Sequence, residues 1–344
     1  MTARPPIACL GAGRMGRGIA VVFAYAGHDV TVVDFRPRSP EEFQRCRAQT
    51  LDEVRRTLAS LASLGLFVPT AVDTIAARVS VVPQAQAAAA LSTATVIFEG
   101  VPEVLDTKRD ALARASALAG PMPIIASSTS TFLADDLAGA LNEPRRFLNA
   151  HWLNPAYLVP LVELSPSTKT DPAVTEQLKV MLESIGKVPV VCATRPGYIV
   201  PRIQALAMNE AARMVEEGVA SPADIDKAIK YGFGFRFAVL GMLEFIDWGG
   251  GDILYYASRY LSEALNNPRY AAPEIIERNM REGHIGLTAG KGFLDYSSLD
   301  REAYRAERLK AFVDMLQFLK LVRPPVLPTR TMGAAIKSSS PLAH

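Results

Sequence analysis

The sequence predicts an α/β protein: a doubly wound, mainly parallel sheet followed by an all-α C-terminal domain. Three observations carry this. From residue 6 to about 193, short apolar, β-branched runs alternate with helical stretches, the pattern of a sheet covered on both faces. A glycine-rich turn separates the first apolar run from the first helix. Beyond about residue 193 strand-like runs give way to helical spacing. The expected division is 1–193, then 194–323, then a loose tail over 324–344.

The elements follow in order. IACL leads into GAGRMG; IAVVFAYAG is then a helix ended by Gly27, and DVTVVD is a second strand. Residues 40–65 have the spacing of a long amphipathic helix. ARVSVV, ATVIFEG and PIIASS read as strands with alanine-rich helices between them, and FLNAHWL and LVPLVEL continue the series. Thr170, Asp171 and Pro172 open a helix that stops at Gly186, and KVPVVCA is a last strand. The boundary falls near TRPG, residues 194–197. GYIVPRIQALAMNEAARMVEEG is then helical, and Ser221-Pro222 supplies an N-cap and a first-turn proline for the next helix. Residues 241–320 are mostly helical in pattern, and the Pro-, Ser- and Thr-rich end reads as a loose tail or an arm.

Composition narrows the function classes. Hydrophobic residues are 49% and charged residues 21%, enough for a large core in a water-soluble protein. A net charge of +2 gives no reason to expect a nucleic acid or an anionic membrane as partner. Cys9, Cys46 and Cys192 are scattered and lack metal-ligand spacing, so free thiols and no metal are expected. No secretory segment and no apolar run of the ~20 residues needed to span a bilayer is present, which points to the cytoplasm.

Gly11, Gly13 and Gly16 form G-x-G-x-x-G, a weak signal alone. Here it follows a strand, opens a helix and is followed by a second strand ending in Asp34, the complete context of a Rossmann-like dinucleotide site. Gly11 permits the tight turn, Gly13 admits a pyrophosphate, and Gly16 lets helix and strand pack closely. Arg14 and Met15 lie inside the same cofactor-binding turn. The helix N-terminus offers free N–H groups and a positive dipole end to phosphate. Asp34 can accept hydrogen bonds from ribose hydroxyls and repel a 2′-phosphate, favouring NAD over NADP; the nearby Arg36 and Arg38 pull the other way unless solvated.

His151 opens the stretch HWLNPAYLVPLVEL and Glu163 stands near its end, two polar residues on otherwise apolar strands. They can be a buried structural pair. Beside a nicotinamide site they also fit a general base and the carboxylate that fixes its tautomer, because oxidising an alcohol requires a group to take the hydroxyl proton.

With these residues in place, the chain resembles the 3-hydroxyacyl-CoA dehydrogenase superfamily to about residue 320. The resemblance rests on GAGRMG with Asp34, VIFEGVPEVLDTK, ASSTST, HWLNP with PLVEL, and the later RPGYIVPRI, GMLEFIDWGG and GLTAGKGFLDY. It implies His151 as base in oxidation and acid in reduction, Glu163 orienting it, and Ser130 bonded to the reacting oxygen. It further implies Glu103, Lys108 and Asn154 at the cofactor, a cleft between the domains, and a homodimer through the helical domain. Ser130 can alternatively be a turn hydroxyl.

Two departures bear on the substrate. Acyl-CoA members carry F-x-x-N-R after PG, whereas Tyr198-Ile-Val-Pro201-Arg202 stands here, so Pro201 replaces a polar side chain. GFGFRFAVLGMLE also places Arg236 among Phe233, Phe235 and Phe237, similar to the gulonate dehydrogenase (lambda-crystallin), carnitine dehydrogenase and pyridoxine-degradation branch. Such an arginine suits capture of a carboxylate, or else a surface or dimer-interface salt bridge. The expected activity is NAD-dependent interconversion of a 3-hydroxy and a 3-oxo group on a small carboxylate. The alternatives are a short-chain 3-hydroxyacyl-CoA dehydrogenase and a catalytically retired NAD-binding structural protein.

Overall fold

A computed structural model describes residues 4–325, so the expected tail lies almost wholly outside the described residues. The chain divides into two compact units between Glu210 and Ala211, within the helix Val200–Glu216.

The first unit is built on an eight-stranded sheet: β1 Ile7–Leu10, β2 Val30–Asp34, β3 Val79–Pro83, β4 Val96–Glu99, β5 Ile124–Ser127, β6 Phe147–Trp152, β7 Leu161–Pro166 and β8 Val188–Val191. Their spatial order is β3-β2-β1-β4-β5-β6-β7-β8. All neighbours pair in parallel except β6 and β7. The chain winds outward from β1 through β2 to β3, then returns beside β1 as β4. That reversal opens a crevice at the carboxyl ends of β1 and β4, where a doubly wound sheet takes its ligand.

Strand alternation explains both the core and the site. In β1, Ile7 and Cys9 enter one apolar cluster, and Ala8 and Leu10 enter the other, so both faces are covered. The helix Arg14–Tyr25 seals the first face with Ile19, Ala20 and Phe23. In β6, Leu148, Ala150 and Trp152 belong to that same face. A period of two therefore sends Asn149 and His151 to the opposite face. In β7, Val162 and Leu164 take the core, which leaves Glu163 on the face of His151.

The second unit is helical among the described residues. Pro222–Ala228 is capped by the Ser221 side chain and runs through a π-helical segment, Ile229–Gly234, into Phe235–Phe237. Met242–Gly249, Gly251–Ala264, Glu274–Glu282 and Arg301–Phe318 complete it. Asp247 gives the later motifs their structural reason. Its buried carboxylate accepts from the amides of Phe293 and Leu294 at 2.9 and 2.8 Å and from the Tyr296 hydroxyl at 3.2 Å. A Cβ on Gly286 or Gly292 would overlap Asp247, which is why GLTAGKGFLDY carries glycine at both places.

Candidate active site

The glycine turn lies at the sheet's reversal point. Gly11 has φ +94°, and a Cβ on Gly16 would overlap the Gly11 carbonyl, so the helix closes on the strand only with glycine there. Gly13 differs: a Cβ there would meet no protein atom nearer than the Gly100 carbonyl oxygen at 3.9 Å. The space it leaves opens onto a cavity of about 430 Å³ lined by Gly11, Gly13, Asp34, Arg38 and Gly100, among others. Gly13 is also the N-cap of Arg14–Tyr25 and has no side chain to cap it, so the first amides of that helix are available to a ligand. A free helix start, an open cradle and a carboxylate at the end of β2 fit a dinucleotide.

Asp34 is buried and not alone. Arg38 Nε lies 2.5 Å from its Oδ2, and the Arg36 amide bonds its Oδ1 at 3.3 Å. The acidic ribose partner expected at this place is thus already shared with a cation. Arg14 is exposed and lines a second cavity with Arg17 and Asn154 on the other side of the turn; Met15 packs on the core.

At the end of β4 a buried ion pair underlies this turn. Lys108, expected at the cofactor, is 1% exposed. Its ammonium bonds Glu99 Oε1 at 2.9 Å, Glu103 Oε2 at 3.2 Å and the Val101 carbonyl at 3.2 Å. Ser127 also donates to Glu99. Glu103 in turn accepts from the Thr129 hydroxyl and from the amides of Ser130 and Thr131, both at 3.1 Å. Burial works to raise its carboxyl pKa, but the Thr129 bond and Lys108 outweigh it and hold the group below its ordinary value. Glu103 is therefore the clasp of the Ser130 turn.

Ser130 itself is exposed, at the end of that turn. His151 and Glu163 are direct partners in the antiparallel ladder. His151 Nδ1 lies 2.8 Å from Glu163 Oε2, which leaves Nε2 as the ring nitrogen for another molecule. Glu163 is fully buried, and its Oε1 accepts from the amides of Ile199 and Val200 at 2.8 and 2.9 Å. These amides open the helix Val200–Glu216, so one carboxylate orients the imidazole and caps a helix. Pro201 sits in the first turn of that helix, where a missing N–H leaves no bond unmade. Asn154 is exposed just beyond β6.

Sequence reasoning gave no role to Tyr198, Asn149 or Thr129. The Tyr198 ring stacks on the His151 ring, with centroids 4.8 Å apart and planes 12° apart. Its place directly after Gly197, in the segment where the chain departs from the acyl-CoA pattern, was the available signal. In the second unit, Arg236 Nε donates to the Gly232 carbonyl at 3.0 Å, and its guanidinium lies 4.7 Å from the Phe245 ring centre.

A dinucleotide cradle and a His–Glu pair on one sheet fit a dinucleotide-dependent oxidoreductase. Comparison with known proteins agrees and is more specific. Residues 6–195 match the family model of the 3-hydroxyacyl-CoA dehydrogenase NAD binding domain, and residues 197–296 match that of its C-terminal domain. The chain belongs to the 3-hydroxyacyl-CoA dehydrogenase family. It is 31% identical over 316 residues to a 5-formyl-3-hydroxy-2-methylpyridine 4-carboxylate 5-dehydrogenase of Mesorhizobium japonicum, covering 91% of this chain and 98% of the relative. It is 34% identical to an L-carnitine dehydrogenase of Streptomyces coelicolor, over 78% of this chain and 82% of the relative. A crystal structure of a 3-hydroxyacyl-CoA dehydrogenase from Archaeoglobus fulgidus superposes with a TM-score of 0.72 at 30% identity, covering 93% of this chain and all of that one.

Among the described residues, no helix is long and apolar enough to cross a membrane.

Proposed function

We propose that the protein interconverts a 3-hydroxy and a 3-oxo group on a small free carboxylate, with His151 and Glu163 as its acid–base pair. The observation that carries this is the buried Nδ1–Oε2 bond of 2.8 Å between them. In oxidation His151 Nε2 takes the hydroxyl proton. Glu163 accepts the Nδ1–H, holds the required tautomer and stabilises the imidazolium that forms. The Ser130 hydroxyl bonds the reacting oxygen. In reduction the imidazolium returns the proton to that oxygen. Bound NAD supplies the hydride acceptor in one direction and the donor in the other. Gly11, Gly13 and Asp34 would hold it, Arg14 and Met15 through the amides at the helix start that Gly16 keeps close to the strand, with Glu103 and Asn154 near its reactive ring.

The free-acid reading has two supports. Relatives named for a pyridine carboxylate and for carnitine span most of this chain. Arg55 and Arg56, on the long helix Pro40–Ser63, are cations that CoA phosphates could use, and both are turned to carboxylates instead, Arg55 to Asp73 at 2.8 Å and Arg56 to Asp52 at 2.5 Å. Such exposed pairs are weak, about 0–1 kcal/mol each, so they favour this reading rather than force it. Arg236 is the residue assigned to the substrate carboxylate. The Archaeoglobus relative's name favours a CoA thioester as the second reading. We also assign the working form as a cytoplasmic homodimer joined through residues 200–320 of the helical region.

The test assays wild type and Arg236→Met on acetoacetyl-CoA and on a panel of free 3-hydroxy acids, following NADH absorbance. Loss of a charged hydrogen bond should weaken free-acid kcat/KM by about 10- to 150-fold. Good wild-type activity on acetoacetyl-CoA, untouched by the substitution, rejects the free-acid substrate.

A further inference from the structure

We propose that Tyr198 is a positioning residue that sets the Ser130 turn against the His151 ring. This rests on the roles assigned above to His151 and Ser130. Tyr198 is 8% exposed and has φ +45°, a backbone conformation costly for a bulky side chain and kept only where the surroundings enforce it. Three interactions enforce it. The ring lies flat on the imidazole, 4.8 Å between centroids. The hydroxyl donates to the Thr129 carbonyl oxygen at 2.8 Å. It accepts from Asn149 Nδ2 at 3.0 Å, and Asn149 stands on the same face of β6 as His151.

The Thr129–Ser130 peptide is thereby held at both ends. Tyr198 takes its carbonyl, and Glu103 takes its Ser130 amide at 3.1 Å. The Cα of Ser130 has little freedom left, while the side chain stays exposed. Asn149 also bonds the Phe132 carbonyl at 2.9 Å, which ties down the far side of the turn. Burial outweighs the opposing Asn149 bond and pushes the phenol above its ordinary pKa, so the hydroxyl stays a donor through the working pH range. A phenylalanine would keep the stack and lose the link. The hydroxyl therefore has one job that the ring does not: fixing the distance between the proton acceptor and the serine.

The experiment is a double-substitution cycle with Tyr198→Phe and Ser130→Ala, with NADH binding followed by fluorescence to check folding. Misplacement of a reacting group by a fraction of an ångström to 1 Å costs up to about 10²-fold, so Tyr198→Phe should lower kcat about 10-fold with KM for NAD within about twofold. In the Ser130→Ala background the same change should cost less than about twofold, because the residue it positions is gone. A factor equal in both backgrounds, or full activity of Tyr198→Phe, overturns the proposal. Should Tyr198→Phe fail to fold, Asn149→Ala removes the donor to the phenol oxygen and must show the same dependence on Ser130. His151→Gln separates the two levels of inference. Retained turnover there rejects the acid–base pair itself, whereas its loss beside an active Tyr198→Phe rejects only the positioning role.

Discussion

Glu163 and His151 face each other across the β6–β7 ladder, and the same carboxylate that takes the imidazole Nδ1 takes the first amides of a helix with its other oxygen. The arrangement is rigid because neither oxygen can turn without losing a buried bond.

Replacing Glu163 by Gln should therefore cost more than shape alone suggests. An amide cannot accept both the Nδ1–H and two backbone amides, and it brings no charge to balance an imidazolium. Turnover should fall about 10²-fold or more, the scale of a disabled general base. Glu163→Ala should in addition destabilise the fold by about 2–4 kcal/mol, since buried amide donors lose their acceptor. Steady-state kinetics and urea unfolding measure the two effects separately, and near-normal turnover in Glu163→Gln would make the pair purely structural.

Cofactor choice should depend on Arg38 as well as Asp34. Wild type should prefer NAD. Asp34→Ser should narrow the NAD/NADP ratio of kcat/KM by about 10-fold, since 1.4 kcal/mol of lost repulsion corresponds to that factor. Arg38→Met should widen it, because the carboxylate now bonded at 2.5 Å to Arg38 would meet the ribose uncompensated. Equal efficiency with both cofactors in the wild type sinks the argument.

Glu103 makes a pH prediction with a definite sign. Its folded-state pKa lies below the ordinary 4.5, so its contribution to stability is fully present above that value and is lost as pH falls through the folded value. The destabilisation caused by Glu103→Gln should be constant from pH 8 to about pH 5 and shrink below about pH 4. Denaturation midpoints across that range measure it. A difference that grows with acid would contradict the direction of the shift.

The helix Gly251–Ala264 presents Ile253, Tyr256 and Tyr260, exposed by 63%, 64% and 70%, at spacings of three and four residues. Such a stripe is more apolar surface than a lone helix face ordinarily leaves in water. A symmetric pairing would cover it. Light scattering at micromolar concentration should give a dimer, and Ile253→Asp with Tyr256→Glu should weaken it by about 30-fold or more, the effect of losing a central contact worth 2 kcal/mol. A wild-type monomer counts against the assembly.

Much of the fold was legible because it is written in short-range patterns. Alternating apolar strands and helices implied the doubly wound sheet, and the turn at Gly11, Gly13 and Gly16 with Asp34 located the nucleotide cradle. These depend on periods of two and 3.6 and on glycine chemistry, all local to a few residues. His151 and Glu163 stood out as polar residues on apolar strands. Their separation of twelve positions did not fix their pairing, because the turn that sets an antiparallel register depends on how residues 153–160 fold.

The tertiary structure decided what no local pattern could. The family resemblance puts Lys108 at the cofactor, yet packing buries it between Glu99 and Glu103, where burying the charge requires both carboxylates nearby. Tyr198 is an unremarkable residue after a glycine until the chain returns it, 47 positions from His151 and 69 from Thr129, onto the ring of one and the carbonyl of the other. Arg38 sits four residues from Asp34, but only the bend after β2 turns its guanidinium back onto the carboxylate. Element identity follows from neighbours in the chain. The partners of a buried charge or hydroxyl follow from neighbours in space, and those exist only once the long-range packing is complete.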